Sequence, residues 1–127
     1  MTEAVLDASA ILALFHGEPG SDRVTAILDR SMVSSINAAE VVTTLVRNGA
    51  EAQDAVRRVR RLPCPIVTID RELGLRAGAL FATTRHKGLS LGDRICLALA
   101  ERENAPVLTT DRAWADLDLG VEIVLIR

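Results

Sequence analysis

Residues 4–15 read Ala4-Val5-Leu6-Asp7-Ala8-Ser9-Ala10-Ile11-Leu12-Ala13-Leu14-Phe15. Three apolar residues meet a single acid, and an apolar stretch with helical spacing follows at once. A short strand buried on both faces, a turn and a covering helix fit this order. Asp7 sits at the junction, where flanking apolar segments would bury it.

The same alternation continues along the chain. Gly17, Pro19 and Gly20 break the first helix, and Ser21-Asp22 caps a second one reaching about Arg30. Met32-Val33-Ser34 reads as a strand. Asn37 is placed as the cap of a helix that buries Val41, Val42, Leu45 and Val46 and ends near Asn48-Gly49. Glu51 to Leu62 forms another helix, stopped by Pro63 and Pro65. Ile66 to Ile69 is a strand ending at Asp70, and Leu73 to about Arg85 a helix. Ser90 caps a helix from Leu91 to about Glu103. Pro106 to Thr109 is a strand ending at Thr110-Asp111. A short helix around Ala113–Leu117 and a last strand from Val121 to Ile126, placed at a sheet edge, close the order. Strands alternating with helices predict an α/β fold, a three-layer α/β/α sandwich with a mainly parallel sheet of four to five strands. No repeat, linker or low-complexity tract divides the 127 residues, so one domain over 1–127 is expected.

Composition narrows the function. Apolar residues make up 49% of the chain, enough for a core. No apolar run approaches the roughly 20 residues of a membrane span, and the first residues lack the pattern of a secretory signal, so the expectation is cytoplasmic and off the membrane. Net charge is −2, with no global basic field to hold nucleic acid. The aromatics are Phe15, Phe81 and Trp114, too few for a base-stacking sheet. Cys64 and Cys96 form no CxxC pair and share no ligand spacing with His16 or His86, which argues against zinc and for two reduced core thiols.

Four acids stand out by position. Asp7 and Asp111 follow strands, where an open α/β sheet binds its ligands. Glu40 and Asp93 each lie three residues after a capping residue, Asn37 and Ser90. Asn37-Ala-Ala-Glu40 and Ser90-Leu-Gly-Asp93 fit or nearly fit capping boxes, so either acid taken alone reads more readily as a helix cap than as a metal ligand; Asp111 also fits a cap. Asp70 follows a strand too, but Arg71 and Glu72 make it an ordinary solvated helix start. Four carboxylates in one crevice repel one another, and a divalent cation resolves that repulsion. All-oxygen donors favour Mg²⁺, with Mn²⁺ as a substitute. The matching chemistry is phosphodiester hydrolysis. Asp7 and Asp111 are candidate direct ligands, Asp93 a ligand directly or through water, and Glu40 a ligand of a second ion or the group that orients water. Ser9 and Thr109 are candidate supports for the carboxylates, and Asp116 a candidate helper. Arg94 and Arg112, each beside a proposed ligand, are candidate contacts for nucleic-acid phosphates. The cluster Arg57, Arg58, Arg60 and Arg61 fits a phosphate track, a contact for an acidic partner segment, or a solvated helix face.

Taken together these segments resemble a family. Val5-Leu6-Asp7-Ala8-Ser9, Ser35-Ile36-Asn37-Ala38-Ala39-Glu40-Val41, Leu89-Ser90-Leu91-Gly92-Asp93-Arg94-Ile95 and Leu108-Thr109-Thr110-Asp111-Arg112-Ala113-Trp114 resemble, in order and spacing, the four motifs of PIN-domain proteins, in particular the VapC-type toxins of toxin–antitoxin systems. The resemblance spans essentially the whole chain. It implies a Mg²⁺- or Mn²⁺-dependent endoribonuclease, a homodimer, and a co-encoded antitoxin that blocks the site. It carries over Asp7, Glu40, Asp93 and Asp111 as that acidic site. The choice of RNA over DNA comes from the resemblance alone. Two rival readings stay in view. A receiver-like phosphoryl-transfer domain would need a second Asp two residues after Asp7, where Ser9 stands, or a strand-end lysine, whereas Lys87 is the only lysine and falls in a loop. A non-catalytic binding subunit of the same fold would have little use for an intact acid set.

Overall fold

The computed structural model describes residues 2–127. Five strands, β1 (Ala4–Leu6), β2 (Ser31–Ser34), β3 (Ile66–Val67), β4 (Val107–Thr109) and β5 (Ile123–Leu125), form one sheet in the order β3-β2-β1-β4-β5. Every pairing is parallel. The helices are α1 (Ala8–His16), α2 (Ser21–Ile27), α3 (Ser35–Arg47), α4 (Ala52–Arg60), α5 (Arg71–Ala79), α6 (Phe81–Thr84) and α7 (Leu91–Glu103).

Alternation along the central strand separates two cores. Ala4 and Leu6 pack on one face of the sheet with residues of α1 to α4, including Ile11, Val24, Val41 and Val59. Val5 points the other way, to Leu73 and Ala77 of α5, to Ile95 and Leu99 of α7, and to Trp114. Because both faces of β1 and β4 are covered, all six of their residues are buried. The edge strands β3 and β5 are only partly covered.

The sheet also fixes where a site can form. From β1 the chain builds outward through β2 to β3, and then returns to β4 and β5 on the other side. The strand order therefore reverses between β1 and β4, and a crevice opens at the carboxyl ends of those two strands. Asp7 leaves β1 there and Asp111 follows β4.

Local expectations differ from the structure at several places. The second helix ends at Ile27 and continues as a 3-10 turn, Leu28–Arg30, and the last strand spans only Ile123–Leu125. The cap of α3 is Ser34, whose hydroxyl accepts from Asn37 N at 3.1 Å, so Asn37 lies inside the first turn. The strand after Pro65 pairs only at Ile66 and Val67, because β2 ends opposite them at Ser34. The helix expected from Leu73 begins at Arg71, capped by Asp70, whose carboxylate accepts from Leu73 N at 2.8 Å. It breaks at Leu80 into α6 and a 3-10 turn, Arg85–Lys87. The short helix expected around Ala113–Leu117 is a 3-10 turn, Arg112–Trp114.

Leu99 is fully buried while Leu75 is 64% exposed. Leu99→Ala is expected to lower stability by about 3–5 kcal/mol, and Leu75→Ala by less than about 0.5 kcal/mol. Urea unfolding followed by circular dichroism measures both.

Candidate active site

Asp7 ends the central strand and caps α1, and its carboxylate is 5% exposed. Such a burial is tolerable only if the oxygens find donors. Oδ1 accepts from Ser9 Oγ at 2.7 Å and from Ala10 N at 2.9 Å. Oδ2 accepts from Thr109 Oγ1 at 2.5 Å. The hydroxyls pass the network onward: Thr109 Oγ1 accepts from Asp111 N at 3.0 Å, and Ser9 Oγ from Thr110 N at 2.9 Å. Ser9 and Thr109 therefore hold Asp7 and also tie the end of β4 to the end of β1. Even so, burial outweighs these bonds. It pushes the Asp7 carboxyl up from an ordinary 3.8 to about 6, with the Asp93 charge adding to the rise.

Asp93 is the third residue of α7 in a complete capping box. Its Oδ2 accepts from Ser90 N at 2.9 Å while Ser90 Oγ accepts from Asp93 N at 3.1 Å. Asp111 caps the 3-10 turn through a bond from Ala113 N to Oδ1, 3.0 Å. Glu40, in the second turn of α3, accepts from Asn37 Nδ2 at 2.6 Å. All four acids line one cleft of about 280 Å³, together with Ser9, Leu12, Asn37, Thr44 and Trp114. A buried probe under the cleft registers three of them: the Cys96 thiol is pushed well up, first by burial and then by the charges of Asp7, Asp93 and Glu40. Capping a helix and lining the cleft are thus compatible roles for the same carboxylate.

None of the four acids has an ion-pair partner among the described residues. Glu40 Oε2, Asp93 Oδ1 and Asp111 Oδ2 accept no hydrogen bond there either. The described residues contain no cluster of three acid, His or Cys side chains drawn tightly enough to enclose a bare ion. The donor set is all oxygen and anionic, and it fits Mg²⁺ or Mn²⁺ on those grounds.

Other candidates lie elsewhere. Asp116 does not line the cleft; it pairs with Lys87 Nζ at 2.5 Å and its carboxyl is held low by that contact. Arg94 points away, donating to Ala77 O at 3.1 Å with its guanidinium 5.3 Å from the Phe81 ring centre. Arg112 is exposed beside Asp111. Asp70 stays outside the cleft, held low first by the Leu73 amide and then by Arg102. In the arginine cluster, Arg57 pairs with Asp54, and Arg58 donates to Phe15 O at 3.0 Å and covers its ring at 4.3 Å. Cys64 and Cys96 are free and buried. Asn37 was legible only as a cap; its place in the cleft is a finding of the structure.

The PIN domain family matches residues 4–119. No curated protein matches the chain. Among solved structures, the chain is similar to one from a toxin–antitoxin complex of Klebsiella pneumoniae, with a TM-score of 0.75 and 21% identity over 98% of each chain. It is similar to one from DNA-bound VapBC of Salmonella typhimurium, with a TM-score of 0.74 and 18% identity over the whole of both chains. It also resembles VapC20 of Mycobacterium tuberculosis, described as a Sarcin-Ricin loop cleaving toxin, with a TM-score of 0.74 and 17% identity over 94% of this chain and 99% of that one.

The raised value for Asp7 has a defined sign. Its folded value, about 6, exceeds its ordinary 3.8, so the folded chain holds this proton more tightly than the unfolded chain. Asp7 therefore adds nothing unfavourable below about pH 4, and its cost grows to roughly 3 kcal/mol as pH rises past 6. Urea unfolding of chelator-treated protein at pH 4 and pH 7 should show Asp7→Asn gaining on the parent at the higher pH. An identical pH dependence in both proteins would show that Asp7 does not titrate in this window.

Proposed function

We propose, from the premise that the chain belongs to the PIN-domain family, that it is a Mg²⁺- or Mn²⁺-dependent endoribonuclease. The observation that carries this reading is the cleft at the β1/β4 reversal, where four carboxylates face one another without a neutralising side chain. Such a cleft repels a phosphodiester unless a cation intervenes, and with one it attracts the phosphate oxygens. When bound, the cation supplies Lewis acidity and a bound water of lowered pKa.

The residues then divide the work. Asp7 provides a buried carboxylate, fixed in place by Ser9, Thr109 and the Ala10 amide. Asp93 and Asp111 hold one oxygen each on a backbone amide and keep the other free toward the cleft. Glu40, from α3, has Oε2 available to hold an attacking water or a second cation. Arg112 is the arginine placed to meet RNA. A receiver-like role is disfavoured because Ser9 stands where a second Asp is needed and Lys87, the only lysine, pairs with Asp116.

The biological setting is supported by the neighbours named above, which include a toxin–antitoxin complex, a DNA-bound VapBC and a Sarcin-Ricin loop cleaving toxin. The reading is a toxin, one domain over the whole chain, paired as a homodimer and restrained by a cognate antitoxin. Half-buried Leu12 lines the cleft on α1, and half-buried Val42 lies on α3, which together suit an apolar seat for an antitoxin segment. RNA and antitoxin place its work in the cytoplasm. No described helix is long and apolar enough to cross a membrane.

Purified protein with Mn²⁺ is expected to cut RNA, and a chelator to abolish cutting. Asp7→Asn, Glu40→Gln, Asp93→Asn and Asp111→Asn are each expected to lower the rate by about 100-fold or more, and to relieve growth arrest on expression. Undiminished cutting in chelator would sink metal dependence, and wild-type rates in Asp7→Asn or Asp93→Asn would sink the site.

A further inference from the structure

The two helix-borne acids of the cleft, Glu40 on α3 and Asp93 on α7, are linked by one buried carboxamide. Asn37 is 1% exposed. Its Nδ2 donates to Glu40 Oε1 at 2.6 Å and to Gly92 O at 3.3 Å. A carboxylate and a carbonyl only accept, so chemistry settles which end of the amide faces them. Gly92 directly precedes Asp93 in the first turn of α7. A Cβ on Gly92 would stand 2.8 Å from Glu40 Oε2 and 2.9 Å from Oε1. The Glu40 carboxylate therefore rests against bare backbone at the positive end of α7.

We propose that Asn37 is a positioning residue of the acidic cleft. Its carboxamide, together with the missing side chain at Gly92, clamps the Glu40 carboxylate onto the first turn of α7 and sets its spacing from Asp93. The inference rests on the reading of these acids as a cation-binding, RNA-cleaving site. Asn37 is not needed as a cap, because Ser34 already caps α3. Nor does its amide serve only packing. Both of its donated bonds go to elements of the cleft, while Oδ1 is buried with no partner among the described residues, an arrangement an ordinary core avoids. Glutamate has three side-chain torsions. Held in advance, it loses little freedom when a cation or an attacking water must be met, whereas released it must be ordered at that moment.

A double-mutant cycle tests the assignment. Asn37→Ala, Glu40→Ala and the double variant are compared for Mn²⁺ affinity by electron paramagnetic resonance titration and for kcat and KM on RNA, with circular dichroism confirming the fold. In the parent background Asn37→Ala is expected to weaken Mn²⁺ binding or lower kcat by about 10- to 100-fold with KM little changed. In the Glu40→Ala background it is expected to add less than about twofold, because the group it positions is gone. The same loss in both backgrounds overturns the inference and leaves the ribonuclease reading standing. A parent protein that neither binds Mn²⁺ nor cuts RNA overturns that reading and this inference with it. Should Asn37→Ala fail to fold, Gly92→Ala decides. Its methyl displaces the same carboxylate, so its effect must likewise vanish in Glu40→Ala, and an undiminished effect there overturns the inference.

Discussion

The structure depends on a carboxylate placed where an apolar side chain would be cheaper. Asp7 leaves the central strand with both sheet faces already covered, and its surroundings favour the protonated form. Three donors from two segments, Ser9 and Ala10 on α1 and Thr109 on β4, hold it. Those bonds fix its direction without recovering the hydration it lost. A group held rigidly in an unfavourable electrostatic setting gains more from a cation than a solvated one does, since the cation removes a penalty the fold already bears. The Asp93 charge deepens that penalty, and it falls where the strand order reverses and the sheet leaves a crevice.

Three of the four acids also stabilise the ends of helices or turns. Asp7, Asp93 and Asp111 each accept from a backbone amide of the turn they begin or join. A short acid docked on a helix start has one oxygen fixed and the other aimed by the turn's geometry. This places charge accurately without a dedicated scaffold. Glu40 lies past the first turn of its helix and has no such amide, and an added polar contact, from Asn37, takes over that task.

Much of this was legible in the chain. Residues 4–15 announce the central strand and the buried acid, because apolar residues on both sides leave Asp7 no route to solvent. The order of strands and helices gives the parallel sheet. What local sequence could not supply is direction. Arg94 adjoins Asp93, yet successive helical residues diverge by roughly 100°, and Arg94 turns to α5 instead of the cleft. Asp116 is close to Asp111 in sequence, but the intervening 3-10 turn carries it to Lys87. The cap of α3 was misplaced because Ser34 is both the last residue of β2 and the cap, two roles whose signals overlap in one residue. The length of β3 depends on where its partner stops, which is a long-range fact.

The misplaced cap also bears on the chemistry. With Ser34 as cap, Asn37 turns from the helix end toward α7, and Gly92 gives Glu40 room against the same turn. Two residues that look like routine helix punctuation become the means by which separate helices share one cleft. On α7, Arg94 next to Asp93 is tied to α5 carbonyls, and Lys87 is tied to Asp116. Arg94 and Lys87 are thus engaged elsewhere, while Arg112 stays exposed beside Asp111. An acidic cleft without a countercharge repels a phosphate backbone, so under the proposed function a bound cation would be a condition of substrate binding as well as of the chemical step.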